Sequence, residues 1–110
     1  MYAIGLMSGT SLDGVDAALI RIEGRGTDTS VELIAFTTTE IPADIKSEIK
    51  RAVKPATGTV DLICSLNFKL GYLFAEAAKS VCREAGFPMA KVDFIASHGQ
   101  TVWHIPKPDG

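Results

Sequence analysis

Tyr2-Ala-Ile-Gly-Leu-Met-Ser-Gly-Thr-Ser-Leu-Asp-Gly-Val-Asp-Ala-Ala-Leu-Ile-Arg-Ile-Glu23 decides the fold. Its first six residues are a short apolar run, and residues 8–14 follow with the small and turn-forming types of a loop. From Val15 to Glu23, Ala17, Leu19 and Arg21 alternate with Ala18, Ile20 and Ile22, so both faces stay mostly apolar until the far end. That pattern predicts a strand, a loop and a second, buried strand, antiparallel to the first if the loop is a hairpin. Two β-strands this close to the amino terminus start a sheet, and the rest of the chain must cover it.

Gly24-Arg-Gly-Thr-Asp28 is a second turn, and the span from Ser30 to Ile41 is rich in Val, Ile, Phe and Thr, which suit a pleated surface. A three-stranded antiparallel meander is expected. Pro42 stands where a helix can begin, and Ile45, Ile49 and Val53 recur every four residues until Pro55. Thr59 is an N-cap candidate for a longer helix. Its apolar face carries Leu62, Ile63, Leu66, Leu70, Leu73, Phe74, Ala77, Val81 and Ala85 and ends at Gly86. Gly71, inside that helix, suggests close approach of another element. Val92-Asp-Phe-Ile-Ala96 is a last short strand, expected to be buried, that the helical crossover brings back to the sheet. The order β-β-β-α-α-β predicts an α/β layer structure, a ribonuclease-H-like half-domain. Pro106-Lys-Pro-Asp-Gly110 has loop composition with no closing element and reads as a cut in a longer chain.

The chain has 110 residues, 46% of them hydrophobic and 22% charged, as expected of one globular domain. Its 11 basic and 13 acidic residues leave a net charge of −2, and the basic ones form no stripe, so a nucleic-acid partner is not expected. No apolar stretch approaches the roughly 20 residues of a membrane span, and the amino terminus lacks the pattern of a signal peptide, which makes the cytoplasm the expected compartment. Cys64 and Cys82 fall in the same predicted helix, where 18 residues of rise hold them roughly 27 Å apart. They cannot pair, and core packing is the expected role for both.

Two polar segments interrupt these elements. Residues 8–14 pack three hydroxyls, two glycines and one carboxylate between buried strands. Gly9 and Gly14 allow backbone N–H groups to turn toward a ligand, and Thr10 and Ser11 add donors suited to phosphate oxygens. Asp13 would repel phosphate directly but could hold Mg²⁺, usually through water. A plain hairpin turn also uses Asp13-Gly14. The segment matches neither the P-loop, which needs Gly-Lys-Ser/Thr, nor the dinucleotide fingerprint, which needs a following helix. Residues 97–104 gather both histidines, the only tryptophan and a glutamine just beyond a strand end, where open α/β sheets bind ligands. His98 and Gln100 offer hydrogen bonds to a polyol, and Trp103 offers a flat apolar face. A surface histidine and a core tryptophan remain the alternative, and zinc is disfavoured because His98 and His104 have no third ligand nearby.

Gly5-Leu-Met-Ser-Gly-Thr-Ser-Leu-Asp-Gly-Val-Asp16 resembles the amino-terminal signature of anhydro-N-acetylmuramic acid kinases, and Ala96-Ser-His-Gly-Gln-Thr-Val-Trp-His104 is similar to a second segment of that family. These kinases belong to the hexokinase/actin-like ATPase superfamily, and their members continue well beyond residue 110. The resemblance implies an ATP-dependent reaction of cell-wall (peptidoglycan) recycling. Water opens the 1,6-anhydro ring of the amino sugar and the 6-oxygen is phosphorylated, giving N-acetylmuramic acid 6-phosphate. It implies ATP-phosphate binding by Gly9, Thr10, Ser11, Leu12, Asp13, Gly14, Val15 and Asp16, which agrees with the reading of Asp13 as the Mg²⁺ residue. It places Ser97, His98, Gln100 and Thr101 toward the sugar. The family's general base, an aspartate that activates water, has no match in residues 1–110, so the isolated chain is expected to be inactive. Its exposed apolar surface would favour self-association or a homodimer. Two other readings of the same fold are a metal-dependent hydrolase, for which Asp13, Asp16 and Asp93 are too few, and a non-catalytic carbohydrate-sensing module.

Overall fold

The structure, a computed structural model, describes residues 1–8, 14–24 and 26–100. Strand β1 (Tyr2–Ser8) pairs antiparallel with β2 (Val15–Glu23), and β2 pairs antiparallel with β3 (Ser30–Thr39). After the helices α1 (Ala43–Ala52) and α2 (Val60–Ala85), strand β4 (Phe94–Ser97) lies parallel to β1, giving one four-stranded sheet in the order β3-β2-β1-β4. The sheet is therefore mixed. The meander read from the sequence covers only three of its strands, because β4 joins the same sheet and satisfies backbone groups along the second edge of β1. A parallel partner needs a long crossover, and the two helices supply it.

The register fixes which residues enter the core. Ile4 lies opposite Leu19, Leu6 opposite Ala17 and Ser8 opposite Val15, and all six side chains are buried on the face that carries the helices. Leu66, Leu73, Ala77, Ala78, Val81 and Cys82 of α2 close over them, with Ile41, Ile49 and Ala52 filling the side toward α1. Thr59 caps α2, its hydroxyl oxygen accepting from the Leu62 N–H, and Gly86 ends it at φ 64°, a left-handed conformation that costs other residues more. Lys69 Nζ reaches both carboxylate oxygens of Glu48, at 2.7 and 2.9 Å, and ties the two helices on their outer side.

Three expectations differ from the packing of α2 and the sheet. This helix packs mainly over β2 and β3, less over β1. Strand β4 consequently forms an exposed edge instead of a buried strand, with Ile95 nearly half exposed on the helix side and Phe94 nearly half exposed on the opposite face. Among the described residues Gly71 meets no neighbour close enough to touch an added Cβ, so the close approach expected there is not seen. Cys64 points to solvent on the far side of the helix, whereas Cys82 is core and burial pushes its thiol pKa up. The opposite face of the sheet carries no helix among the described residues. Met7, Val31, Leu33, Phe36 and Phe94 lie exposed across that side.

Candidate functional site

Parallel pairing of β1 with β4 sets Leu6 beside Ser97, and the His98 N–H continues the ladder by donating to the Leu6 carbonyl at 3.0 Å. Both strands therefore end on one side of the sheet. Strand β2 begins on that side too, since Val15 faces Ser8. The described members of the two polar segments, Gly14, Val15, Asp16, Ser97, His98 and Gln100, thus converge at one end of three adjacent strands. Gly9, Thr10, Ser11, Leu12, Asp13 and Thr101 lie outside the described residues, as do Trp103 and His104.

A direct bond links the segments. Ser8, 2% exposed at the last position of β1, donates from Oγ to Gln100 Oε1 at 2.5 Å. Ser97 Oγ accepts the Gly99 N–H at 3.1 Å, and Gly99 takes φ 76°, which turns the chain out of β4. On β2, Asp16 Oδ1 accepts from the Thr38 hydroxyl of β3 at 2.8 Å, which fixes the direction of a half-buried carboxylate.

Two hollows flank this end. On the open face, a depression of about 470 Å³ brings Asp16 together with Ser97 and His98. On the helix side, a cleft of about 260 Å³ runs between α2 and residues 99–100, where Asn67 and Gln100 supply polar groups among Ile63, Leu66, Leu70 and Phe74. The residues expected on the acceptor side thus divide, with His98 beside Asp16 and Gln100 beside Asn67.

Gly14 and Val15 serve the sheet first. A Cβ on Gly14 would sit 2.7 Å from Thr38 Cγ2 and 2.9 Å from the Thr39 carbonyl oxygen, so the close approach of β3 already requires glycine. The Val15 side chain is fully buried in the core, which leaves only its backbone for a ligand. Ser8 was read only as one hydroxyl of the polar loop, with no ligand role of its own, and Thr38 and Asn67 were not read as site residues from the sequence. Asn67 had a signal, an amide set among the apolar positions of the long helix. Thr38 had none, because its partner lies 22 residues away and only strand register brings them together.

Asp93 sits elsewhere. Its Oδ2 accepts the Tyr2 N–H at 2.8 Å while its own N–H donates to the Tyr2 carbonyl at 2.8 Å. Tyr2 and Met7, the β1 partner of Asp16, are five residues apart, about 17 Å along a strand.

The sequence model of the family described as anhydro-N-acetylmuramic acid kinase matches residues 1–109. The chain belongs to that family. It is 61% identical over 107 residues to an anhydro-N-acetylmuramic acid kinase of Clostridioides difficile (strain 630), an alignment covering 97% of this chain and 28% of the relative. It is 59% identical over 110 residues to the protein of that name from Bacillus cereus (strain Q1), covering 100% of this chain and 29% of the relative. The chain therefore spans under a third of the length of these family members. Among solved structures, the Thermus thermophilus RuvC structure overlaps 90% of this chain and 64% of its own at 14% identity, with a TM-score of 0.39, too slight a likeness to argue from. Both polar segments of the site fall within the matched span.

Proposed function

We propose that this chain is the ATP-phosphate-binding part of a cytoplasmic sugar kinase. The full-length protein would open the 1,6-anhydro ring of anhydro-N-acetylmuramic acid and phosphorylate the sugar to N-acetylmuramic acid 6-phosphate. The observation that carries this reading is the convergence of the two polar segments at the shared end of β1, β2 and β4, joined through Ser8 and Gln100. A phosphoryl donor and its acceptor must meet within one site, since catalysis of this transfer is mostly positioning and charge stabilisation. Residues 9–16 are read as the nucleotide side, and Ser97, His98, Gln100 and Thr101 as the sugar side. Family membership and the order β3-β2-β1-β4, with β4 parallel to β1, support a ribonuclease-H-like half of the actin-like ATPase type.

Mg²⁺ would neutralise phosphate charge, and Asp13 is the residue read as holding it. Among the described residues Asp16 suits such a setting, as a carboxylate held by Thr38 at the rim of the open-face depression. The two-metal hydrolase alternative loses ground because Asp16 and Asp93 occupy opposite ends of the sheet. The small-molecule sugar is the partner proposed, with neither nucleic acid nor membrane involved. No described helix is long and apolar enough to cross a membrane. Residues 1–110 by themselves are read as inactive, with the water-activating aspartate beyond Gly110. The exposed apolar sheet face supports self-association of the isolated chain.

The test is phosphoryl transfer from ATP to anhydro-N-acetylmuramic acid by the full-length protein, with residues 1–110 assayed beside it. N-acetylmuramic acid 6-phosphate should form with the first and not the second. Transfer to a different sugar would sink the substrate assignment, and sugar binding without transfer would favour the carbohydrate-sensing module.

A further inference from the structure

Ser8 is the one fully buried polar residue among those described, at 2% exposed. A hydroxyl shut away from water costs free energy unless it is hydrogen-bonded, so its partner matters. That partner is Gln100, 92 residues away in sequence and on the other polar segment. The bond forms where β1 and β4 run parallel, with Ser8 closing β1 and Gln100 three residues beyond the end of β4. The bond fixes Gln100 Oε1 on the end of β1. Gln100 and Asn67 line the helix-side cleft together.

We infer that Ser8 is a positioning residue for the acceptor sugar. It sets the direction of the Gln100 amide and couples the sugar side of the site to the segment that begins at residue 9. The inference rests on the kinase reading and adds a residue which that reading leaves out. A bond between two residues that act as one unit predicts non-additive losses. Once Gln100 has lost its anchor, removing its side chain should do little more.

The experiment compares wild type, Ser8→Ala, Gln100→Ala and the double variant in the full-length protein, measuring KM for the sugar and for ATP. Each single variant should raise KM for the sugar about tenfold, the upper range for one hydrogen bond, and the double variant should show the same tenfold rather than the product. KM for ATP should move less than twofold. Ser8→Cys keeps a donor at the same position, larger and weaker than the hydroxyl, and should fall between wild type and Ser8→Ala, a graded response that general loosening of the core would not give. Multiplying losses in the double variant, an unchanged KM for the sugar in Ser8→Ala, or equal changes for both substrates would overturn the inference. A wild-type protein that transfers no phosphate to the sugar would sink the kinase reading itself, a distinct result from an active wild type with a neutral Ser8→Ala.

Discussion

The two ends of the β1–β4 pair are both locked across strands, but by different chemistry. At the Tyr2 end, exposed Asp93 exchanges two hydrogen bonds with the Tyr2 backbone, using its carboxylate and its own N–H. At the Ser8 end the lock is a buried hydroxyl bound to a side-chain amide, and polar segments extend beyond it. A backbone clamp fixes strand register whatever side chains lie beyond it. A side-chain lock sets the direction of a particular functional group, which matters only where that group has work to do. Charge is not what separates the ends, since Arg21 beside Tyr2 pairs with Glu23 and Glu32; the difference lies in the buried side-chain bond between two polar segments at the Ser8 end.

Substitutions at the two ends should separate rate from stability. The largest effect is expected for Asp13→Asn in the full-length protein. If Asp13 organises the metal as proposed, its loss should lower kcat about 100-fold or more, equivalent to about 2.7 kcal/mol, with little change in thermal unfolding. A parallel collapse of stability would instead make residues 9–13 an ordinary turn. Next in size, His98→Ala should raise KM for the sugar several-fold, roughly 1 kcal/mol for one polar contact, and leave KM for ATP nearly unchanged. An effect confined to ATP would move His98 to the nucleotide side, a real contest because His98 shares its depression with Asp16. The smallest effect belongs to the other end. Asp93→Ala removes one exposed hydrogen bond and should cost about 1 kcal/mol in denaturant unfolding, with both KM values unmoved. A kinetic defect there would erase the distinction between the ends.

Much of this was legible because local pattern and tertiary structure agree. Residues 15–23 read as a strand and form one with those bounds, and of the apolar face read from Leu62 to Ala85, Leu66, Leu73, Ala77 and Val81 are buried while Ile63 is exposed. Pro42 precedes α1 and Gly86 closes α2 for the backbone reasons that sequence exposes. What was not legible depends on elements that are not neighbours in sequence. Apolar Phe94 and Ile95 suggested burial for β4, yet burial needs cover on each face: α2 lies toward the other edge from Ile95, and no described helix covers the face that carries Phe94. Cys64 was misread because an apolar residue type does not fix its side of a helix that is largely apolar elsewhere. Thr38 beside Asp16 and Ser8 beside Gln100 are products of strand register, which no local motif encodes.

The claim that one site is built at the common end of β1, β2 and β4 is tested most directly by amide hydrogen exchange on the full-length protein, alone, with a non-hydrolysable ATP analogue, and with the sugar. The account predicts slower exchange over residues 9–16 with the nucleotide and over residues 97–101 with the sugar, while Tyr2 and Asp93 at the far end stay unchanged. Protection that appears at the Tyr2 end, or that leaves both polar segments untouched, would contradict it.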